Sequence, residues 1–314
     1  MSHLDSFSAI PVFVAVVESG SFSAAGQRLG ITKSAVSKRI SQLEETLGAR
    51  LLQRTTRSLS LTEAGEQYFE HVRGALTLAQ EGEDAISQLQ GQPQGGLKVS
   101  TPMVFGRLHI APLVATFLKR FPGIQLQMVM DDKMVDLVEG GFDLAIRIGH
   151  IPESRLVARR LAPVRSVLCA SPDYLQQHGV PLTPEDLRQH NCLFYSLFRG
   201  GAEWTFNGAD GPVRVQPRGN FQVNNSEALR EALVAGLGIC QMPTFIVGPD
   251  LASGRLVALL PDYPLPQHAA YAMFPERRHL PAKTRVFMDF LAEQLGGDEP
   301  VWEHTSALSA NAPA

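Results

Sequence analysis

The sequence predicts an α+β multidomain chain: an N-terminal winged helix-turn-helix, one long linker helix, and a C-terminal α/β half built as two lobes. Three observations carry this. Residues Gly20 to Gly65 alternate short amphipathic stretches with glycine turns and run into an arginine-rich segment. Thr62 to about Gln90 reads as a single helix with an apolar stripe. After Gly91-Gln92-Pro93-Gln94-Gly95-Gly96 the pattern changes to strands alternating with helices.

In the head, Ser21 is placed to cap a helix with Ala24, Ala25 and Leu29 on its apolar face. Gly30 fits the left-handed residue that ends it, and Thr32 caps the next helix. Val36, Ile40, Leu43 and Leu47 then recur at helical spacing and are expected in the core. Thr32, Lys33, Ser34, Ser37, Lys38 and Ser41 fall largely on the opposite side. Such a helix, led by Ser and Lys, suits insertion into a DNA major groove, its donors reaching phosphates or base edges. Arg28 to Ser60 holds seven basic and two acidic residues, a net of +5 in a chain whose total is −3. Thr62 to Gln90 inverts this to −5. A basic module in an acidic chain is the footprint of a phosphate-binding face; sign asymmetry alone would also suit a solvated basic helix pair. The candidate DNA-contacting residues are Ser21, Ser23, Arg28, Thr32, Lys33, Ser34, Ser37, Lys38, Arg39 and Gln42, with Arg54, Thr55 and Arg57 in the wing.

The long helix is capped by Thr62, with Glu63 suited to its positive end. Ala64, Tyr68, His71, Val72, Ala75, Leu78, Ala79, Ala85, Ile86 and Leu89 form a stripe that wants a partner helix. Residues 91–96 read as a hinge. Beyond it, Leu97 to Ser100 reads as a strand and Pro102 to Arg120 as a helix starting a few residues in and interrupted near Pro112. Ile124 to Met130 is a strand, Lys133 to Glu139 a short helix and Phe142 to Ile148 a buried strand. The alternation implies a mainly parallel sheet with helices on both faces.

A second lobe is expected over about 162–268. It holds a strand at Ser166 to Ala170, a helix at Pro172 to His178, a strand near Cys192, a helix from Asn225 to Gly236, and a strand opening at Ile239-Cys240. Ala269 to Phe274 returns to the first lobe (about 97–161 and 269–296), and a helix over Thr284 to Leu295 closes it. Residues 297–314 read as a disordered tail. Domain limits are thus 1–61, 62–90, 91–96 and 97–296.

Two lobes joined by two crossings place a cleft between them, and in open α/β sheets ligands bind beyond the carboxyl ends of the strands. The candidates there are Ser100, Thr101 and Phe105 at the first strand end and helix start, where free amides would favour an anion. Arg147 and Gly149 end another strand. Asn224, Asn225 and Ser226 precede a helix, and Gly238, Gln241 and Pro243 end or follow a strand. Leu197, Phe198 and Trp204 lie in a loop able to cover the cleft. Simpler roles compete: Ser100, Thr101, Asn225 and Ser226 as helix caps, Arg147 in an ion pair, Trp204 in the lobe core.

The chain resembles the LysR-type transcriptional regulators. The matching residues run from Phe13-Val14-Ala15-Val16-Val17-Glu18-Ser19-Gly20-Ser21-Phe22 through Ala24-Ala25, Leu29, Ser34-Ala35-Val36-Ser37, Leu43-Glu44, Leu47-Gly48 and Leu51-Leu52. They continue with Arg54-Thr55-Thr56-Arg57 and Leu61-Thr62-Glu63-Ala64-Gly65. In the second half they are Phe142 to Gly149, Ala170 to Leu175 and Gly236-Leu237-Gly238-Ile239. The resemblance spans about residues 5 to 295. It implies a winged helix-turn-helix, a linker helix pairing antiparallel with that of a second subunit, and a periplasmic-binding-protein-like domain whose cleft takes a small-molecule effector. It also implies a homodimer or homotetramer on double-stranded, dyad-symmetric DNA. Two departures stand out. Pro11 falls in the expected first helix, so that helix should begin near Ala9 or kink. Gly26 replaces a better helix former, at about 1 kcal/mol.

The remaining composition bounds the alternatives. No apolar run is long enough to span a membrane and no secretion signal opens the chain, so cytoplasm is the expected location. Cys169, Cys192 and Cys240 are widely spaced, which favours reduced thiols over a redox pair. The nine histidines lack metal-binding spacing, and no cofactor is expected. No GxSxG, paired-carboxylate or metal motif supports an α/β enzyme. A DNA-binding architectural protein without a ligand would carry the same head, and only the state of the cleft separates it from a sensor.

Overall fold

The computed structural model describes residues 7–54, 59–89, 93–149, 156–197, 203–275 and 280–303. The chain divides at Leu89/Gln90 into two compact units.

In the first unit, helices α1 (Ile10–Ser19), α2 (Phe22–Leu29) and α3 (Lys33–Leu47) are followed by a hairpin of β1 (Leu52–Arg54) and β2 (Leu59–Leu61), and then by α4 (Glu63–Leu89). Pro11 sits in the first turn of α1, where an amide would have no helical partner. The helix therefore starts beside Ala9, whose carbonyl accepts the Phe13 amide at 2.9 Å. Ser21 caps α2 by accepting from the Ser23 and Ala24 amides, and Thr32 caps α3 by accepting from Ala35. Between the two helices Gly30 takes φ 65°, the left-handed conformation that glycine adopts without a Cβ penalty. Val36, Ile40 and Leu43 are buried with Phe13, Val16, Ala25 and Leu51.

Two readings of the head are corrected. Leu47 is 39% exposed rather than in the core, because α3 ends there and its fourth inward position is filled by Glu44. Gly26 is not a mere loss of helix propensity: a Cβ there would lie 2.7 Å from the Ile31 carbonyl oxygen, so glycine lets the turn close over the helix.

Helix α4 starts on the Thr62 cap, whose Oγ1 accepts the Gly65 amide at 2.9 Å and donates to the Arg50 carbonyl at 2.6 Å. Tyr68, Phe69 and Val72 pack into the head, with Tyr68 and Phe69 ring centroids 5.5 and 6.3 Å from that of Phe13. Ala64, His71, Ala75, Leu78 and Ala79 of the expected stripe are exposed, Leu78 by 69%. The side chains of Ala85, Ile86 and Leu89 lie outside the described residues.

The second unit is built on two five-stranded sheets. The first is ordered β4 (Ile124–Met130), β3 (Gly95–Thr101), β5 (Leu144–Ile148), β14 (His268–Pro275), β6 (Leu156–Val164). The second is ordered β11 (Arg218–Val223), β8 (Asn191–Tyr195), β12 (Ile239–Pro243), β7 (Ser166–Ala170), β13 (Val257–Leu259). Each sheet is mixed rather than mainly parallel: β3 runs parallel to β4 and β5, while β14 is antiparallel to β5 and β6. The helices are α5, α6 (Pro172–His178), α7 (Ser226–Val234), α8 (Thr244–Ala252) and α9 (Ala282–Gln294). Segment α5 is continuous through Met103–Phe105, a π turn at Gly106–Ile110 and Ala111–Arg120. That π turn is the interruption expected near Pro112, which has no amide to donate.

Several sequence expectations change here. Gly95 and Gly96 are not hinge but the first residues of β3, paired with Ile124 and Gln125; residues 90–92 lie outside the described residues. Lys133 to Glu139 forms turns rather than a helix. Asp131 accepts the Lys133 amide at 2.9 Å and Asp136 that of Glu139 at 2.8 Å, offering the backbone local partners that compete with helix. The first sheet keeps the chain to Val164 and takes it back at His268, so the crossings fall at Arg165 and just before His268. The hairpin β9 (Trp204–Gly208) and β10 (Gly211–Val215), and also α8, were not anticipated.

The segment after Gly296 is not featureless. Trp302 is 5% exposed, with its ring 5.6, 4.8 and 6.1 Å from those of Phe105, His109 and Phe245. Glu303 accepts from Thr244 Oγ1 at 2.6 Å and pairs with Arg165 at 3.8 Å, so this segment straps the crossing between the sheets. Only 304–314 of the expected tail lie outside the described residues. Among the described residues no helix is long and apolar enough to cross a membrane, and none form a metal-binding cluster.

Candidate DNA interface and effector cavity

The outward side of α3 carries Lys33, Ser34, Lys38, Arg39, Ser41 and Gln42 exposed, with Ser37 half-buried. Lys38 lies on this face and Lys33 and Arg39 on its two flanks, and none of the three has an ion pair to a described residue. Their common sign is unfavourable in the isolated head and is relieved by a polyanion. Ser23 is also exposed. Ser21 and Thr32 spend their oxygens on caps, and Ser34 Oγ lies 2.9 Å from Thr32 Oγ1. Arg28 pairs with Glu18 of α1 at 2.5 Å, the arginine side chain exposed and the glutamate side chain half-buried. Arg54 begins the wing opposite Leu59, and its side chain, with Thr55 and Arg57, lies outside the described residues.

Glu44 is not among the residues that the sequence marks as a functional site. It is 6% exposed, and its Oε1 accepts the Leu51 and Leu52 amides at 2.9 and 3.1 Å. This carboxylate fixes where the chain leaves α3 for the wing. The signal was available: Glu44 stands four residues after Ile40, on the apolar face, where an ion needs partners.

In the second unit a cavity of about 480 Å³ opens between the sheets. Of the expected residues, Phe105, Arg147, Gly149, Leu197, Trp204, Ser226, Gln241 and Pro243 line it. The others do not. Ser100 is fully buried and accepts from Arg147 Nη2 at 2.8 Å. Thr101 is buried beneath Gly106, where a Cβ would meet its Oγ1 at 2.1 Å. One of the free amides expected above these residues is taken, since Met103 N donates to Asp132 Oδ1 at 2.9 Å. Asn224 is exposed and Asn225 caps α7 by accepting from Ala228 at 3.0 Å. Gly238 is a packing residue, as a Cβ would stand 2.2 Å from the Asn191 carbonyl oxygen. Trp204 is not on a covering loop: it opens β9, 3% exposed, and forms part of the second-lobe core as well as the cavity wall. Phe198 lies outside the described residues.

Arg147 is 8% exposed; it donates to the Ile146 carbonyl at 2.7 Å, to Ser100 and to the Lys133 carbonyl at 3.1 Å. Burial lowers its pKa, and the charges of Asp132 and Asp131 oppose that. The Tyr195 phenol faces Asp132; burial and then that carboxylate push its pKa up, so it remains a neutral donor. Asp132, Tyr195 and Phe245 were missed as lining residues, although Asp132 follows the carboxyl end of β4 and the strand-end rule applies to it equally. Cys169, Cys192 and Cys240 are buried free thiols. Burial pushes Cys169 and Cys192 up to about 12 and raises Cys240 too, so none is a ready thiolate.

A capped helix-turn-helix with a basic outer face, joined to a two-sheet α/β unit with a cavity between its sheets, defines a DNA-binding transcriptional regulator. Comparison with known proteins gives the family. Residues 7–66 match "Bacterial regulatory helix-turn-helix protein, lysR family" and residues 90–296 match "LysR substrate binding domain". The chain belongs to the LysR-type transcriptional regulators. It is 38% identical over 284 residues to the regulator PtxR of Pseudomonas aeruginosa, covering 90% of this chain and 91% of that protein. The solved structure of CrgA, a LysR-type regulator from Neisseria meningitidis, is similar at TM-score 0.60 and 37% identity over 92% of this chain and 99% of that one. Full-length AphB, a Vibrio cholerae virulence activator, is similar at TM-score 0.60 and 29% identity over 91% and 98%. Its relatives are regulators, not enzymes. The strap at Trp302 and Glu303 lies beyond the matched effector region.

Proposed function

We propose that two copies of the chain pair through α4, that the outer face of α3 in each enters the major groove of one half-site, and that a small organic effector in the cavity modulates this binding. The exposed apolar residues of α4 beyond the head, Leu78 above all, support the pairing. Two linked heads multiply affinity and select dyad-symmetric DNA. Lys33, Ser34, Ser37, Lys38, Arg39 and Gln42 are the groove-facing set, with Ser23, Arg54, Thr55 and Arg57 on the flanking backbone. Ser21 and Thr32 act by shaping the helix starts, and Arg28 by its pair with Glu18. The effector site is the cavity set named above; the working domain limits are a head to Leu61, the linker helix to residue 90, and an effector domain to Glu303.

The cavity is the observation that carries the sensing part, because a purely architectural DNA binder has no need of about 480 Å³ of lined space. Footprinting of DNA upstream of the chain's own gene tests the arrangement. The expected result is paired protected tracts about one helical turn, or a small multiple, apart, with an effector changing their extent. A single unpaired half-site bound by a monomer at sedimentation equilibrium would contradict the pairing.

A further inference from the structure

The segment that leaves α9 ties the two lobes together outside their covalent crossings. It lies beyond residues 90–296, where the family match ends. Asp298 holds it to Arg160 of β6 in the first lobe at 2.6 Å, both side chains exposed. The chain then turns, the Glu303 amide donating to the Pro300 carbonyl at 2.9 Å. Trp302 is thereby set between helices of different lobes. Its ring centroid is 5.6 and 4.8 Å from those of Phe105 and His109 on α5, and 6.1 Å from that of Phe245 on α8. The Phe105 and Phe245 rings stand 5.2 Å apart and both line the cavity, so Trp302 backs the place where its two walls meet. Glu303 reaches the first crossing. Its carboxylate accepts from the Thr244 hydroxyl at 2.6 Å and lies 3.8 Å from Arg165. Thr244 opens α8, and its amide donates to the Arg165 carbonyl at 2.9 Å. A carboxylate at that helix start is also favoured by the helix dipole.

Burial ranks these ties. The Arg107–Glu227 pair also joins the lobes, from α5 to α7, but both side chains are exposed and it restrains little. Trp302 is 5% exposed and the Glu303 side chain 12%. Relative movement of the lobes therefore strips an aromatic ring from its socket or parts a nearly buried carboxylate from its donor. Trp302 Nε1 is buried with no hydrogen-bond partner among the described residues. Water supplies that partner once the ring leaves, which offsets part of the cost of release. The wedge holds the lobes without locking them.

We propose that residues 297–303 are a clamp that keeps the two lobes in one arrangement, with Trp302 as its wedge and Glu303 as its hook, and that its release frees the lobes to move. The bearing of that movement on DNA binding rests on the effector reading above.

Double electron–electron resonance on the full chain tests the clamp. The three native thiols are buried, so nitroxides go to introduced cysteines. Arg285→Cys on α9 and Gln177→Cys on α6, both at exposed positions, report the distance between lobes. Arg285→Cys with Gln125→Cys on β4 reports it within the first lobe. Labelled chain is diluted with unlabelled chain, so that distances within one molecule are read. Trp302→Ala is compared with the parent, and so is Glu303→Gln, which keeps an oxygen for Thr244 and removes the charge. The expected result in Trp302→Ala is an inter-lobe distance shifted or broadened by more than about 2 Å, the scale of a domain rearrangement, with the within-lobe distance unchanged. An unchanged inter-lobe distribution in Trp302→Ala overturns the clamp. If the within-lobe distance broadens as well, the first lobe itself has loosened and Glu303→Gln decides: an inter-lobe change there supports the clamp, and its absence overturns it. The measurement needs no ligand, so its failure leaves the effector reading standing, and a cavity that binds nothing leaves the clamp standing.

Discussion

Gly65→Val is expected to unfold the DNA-binding head while the effector unit stays folded. Gly65 is buried at the start of α4, under the chain that leaves α3. A Cβ there would lie 2.0 Å from the Leu51 carbonyl oxygen, and that carbonyl is already committed to the Thr62 amide at 3.0 Å. The Leu51 amide is in turn held by Glu44. Nothing at this junction moves alone: displacing Leu51 loosens the wing, the Thr62 cap and the Glu44 carboxylate together. Overpacking of this kind costs about 3 kcal/mol or more. For a unit under 100 residues that is a fall of roughly 12 °C or more in its melting point. Differential scanning calorimetry should show the head transition lost or moved down and the second transition in place. Gly74→Ala is the internal control. It lies on the same helix with nothing within 4 Å of the added Cβ, and should stabilise by about 0.8 kcal/mol. A Gly65→Val chain that melts like the wild type would show that the junction is not the rigid link described here.

Asp250→Ala is expected to destabilise the effector unit and blunt its response to ligand. Asp250 is fully buried on α8 and receives Arg230 Nε at 2.6 Å and Nη2 at 2.7 Å from α7, with Arg255 Nη2 at 2.7 Å. The side-chain hydrogen bond to Asp250 is also the main reason the Arg230 pKa is raised. Removing one partner of a buried pair leaves the other desolvated, at about 3–5 kcal/mol. The low end applies, because Arg230 retains some solvent and can still turn to Glu231, 2.6 Å away. A loss of about 3 kcal/mol lowers the melting point of a unit this size by roughly 6–12 °C. Helices α7 and α8 carry Ser226, Leu229, Phe245 and Ile246 of the cavity wall, so a loosened pair should also weaken binding of a ligand in the cavity. A shift within about 2 °C would mean that the pair is offset by its desolvation.

The head was legible because its turn chemistry is local. Ser21, Gly30 and Thr32 each occupy a cap or turn position that few other residues fill as well, and the apolar spacing of Val36, Ile40 and Leu43 needs only the helix period. The sheets were legible where strands are buried on both faces, as at Leu144 to Ile146 and Leu168 to Ala170. Lys133 to Glu139 misled because its composition suits a helix while Asp131 and Asp136 bond the backbone locally. Trp302 was hidden because it stands beside Pro300 in an acidic stretch that shows no helix or strand periodicity, and only the three-dimensional proximity of Phe105, His109 and Phe245 gives it a place. For the cavity, strand ends located Arg147, Gly149 and Pro243, but the rule does not say which side chains turn inward. Ser100, Thr101 and Gly238 sit at the right points of the chain and serve packing.

The central claim is that the outer face of α3 meets the bases. Its most direct test is a gel-shift titration of wild type and Ser37→Glu on one operator fragment, with the head's melting point measured alongside. A carboxylate at position 37 would face phosphates and base edges in both half-sites. The expected loss is at least about thirtyfold in affinity at unchanged head stability, from about 1–3 kcal/mol at each of two contacts. Ser37→Glu binding with undiminished affinity would place the DNA elsewhere on the molecule.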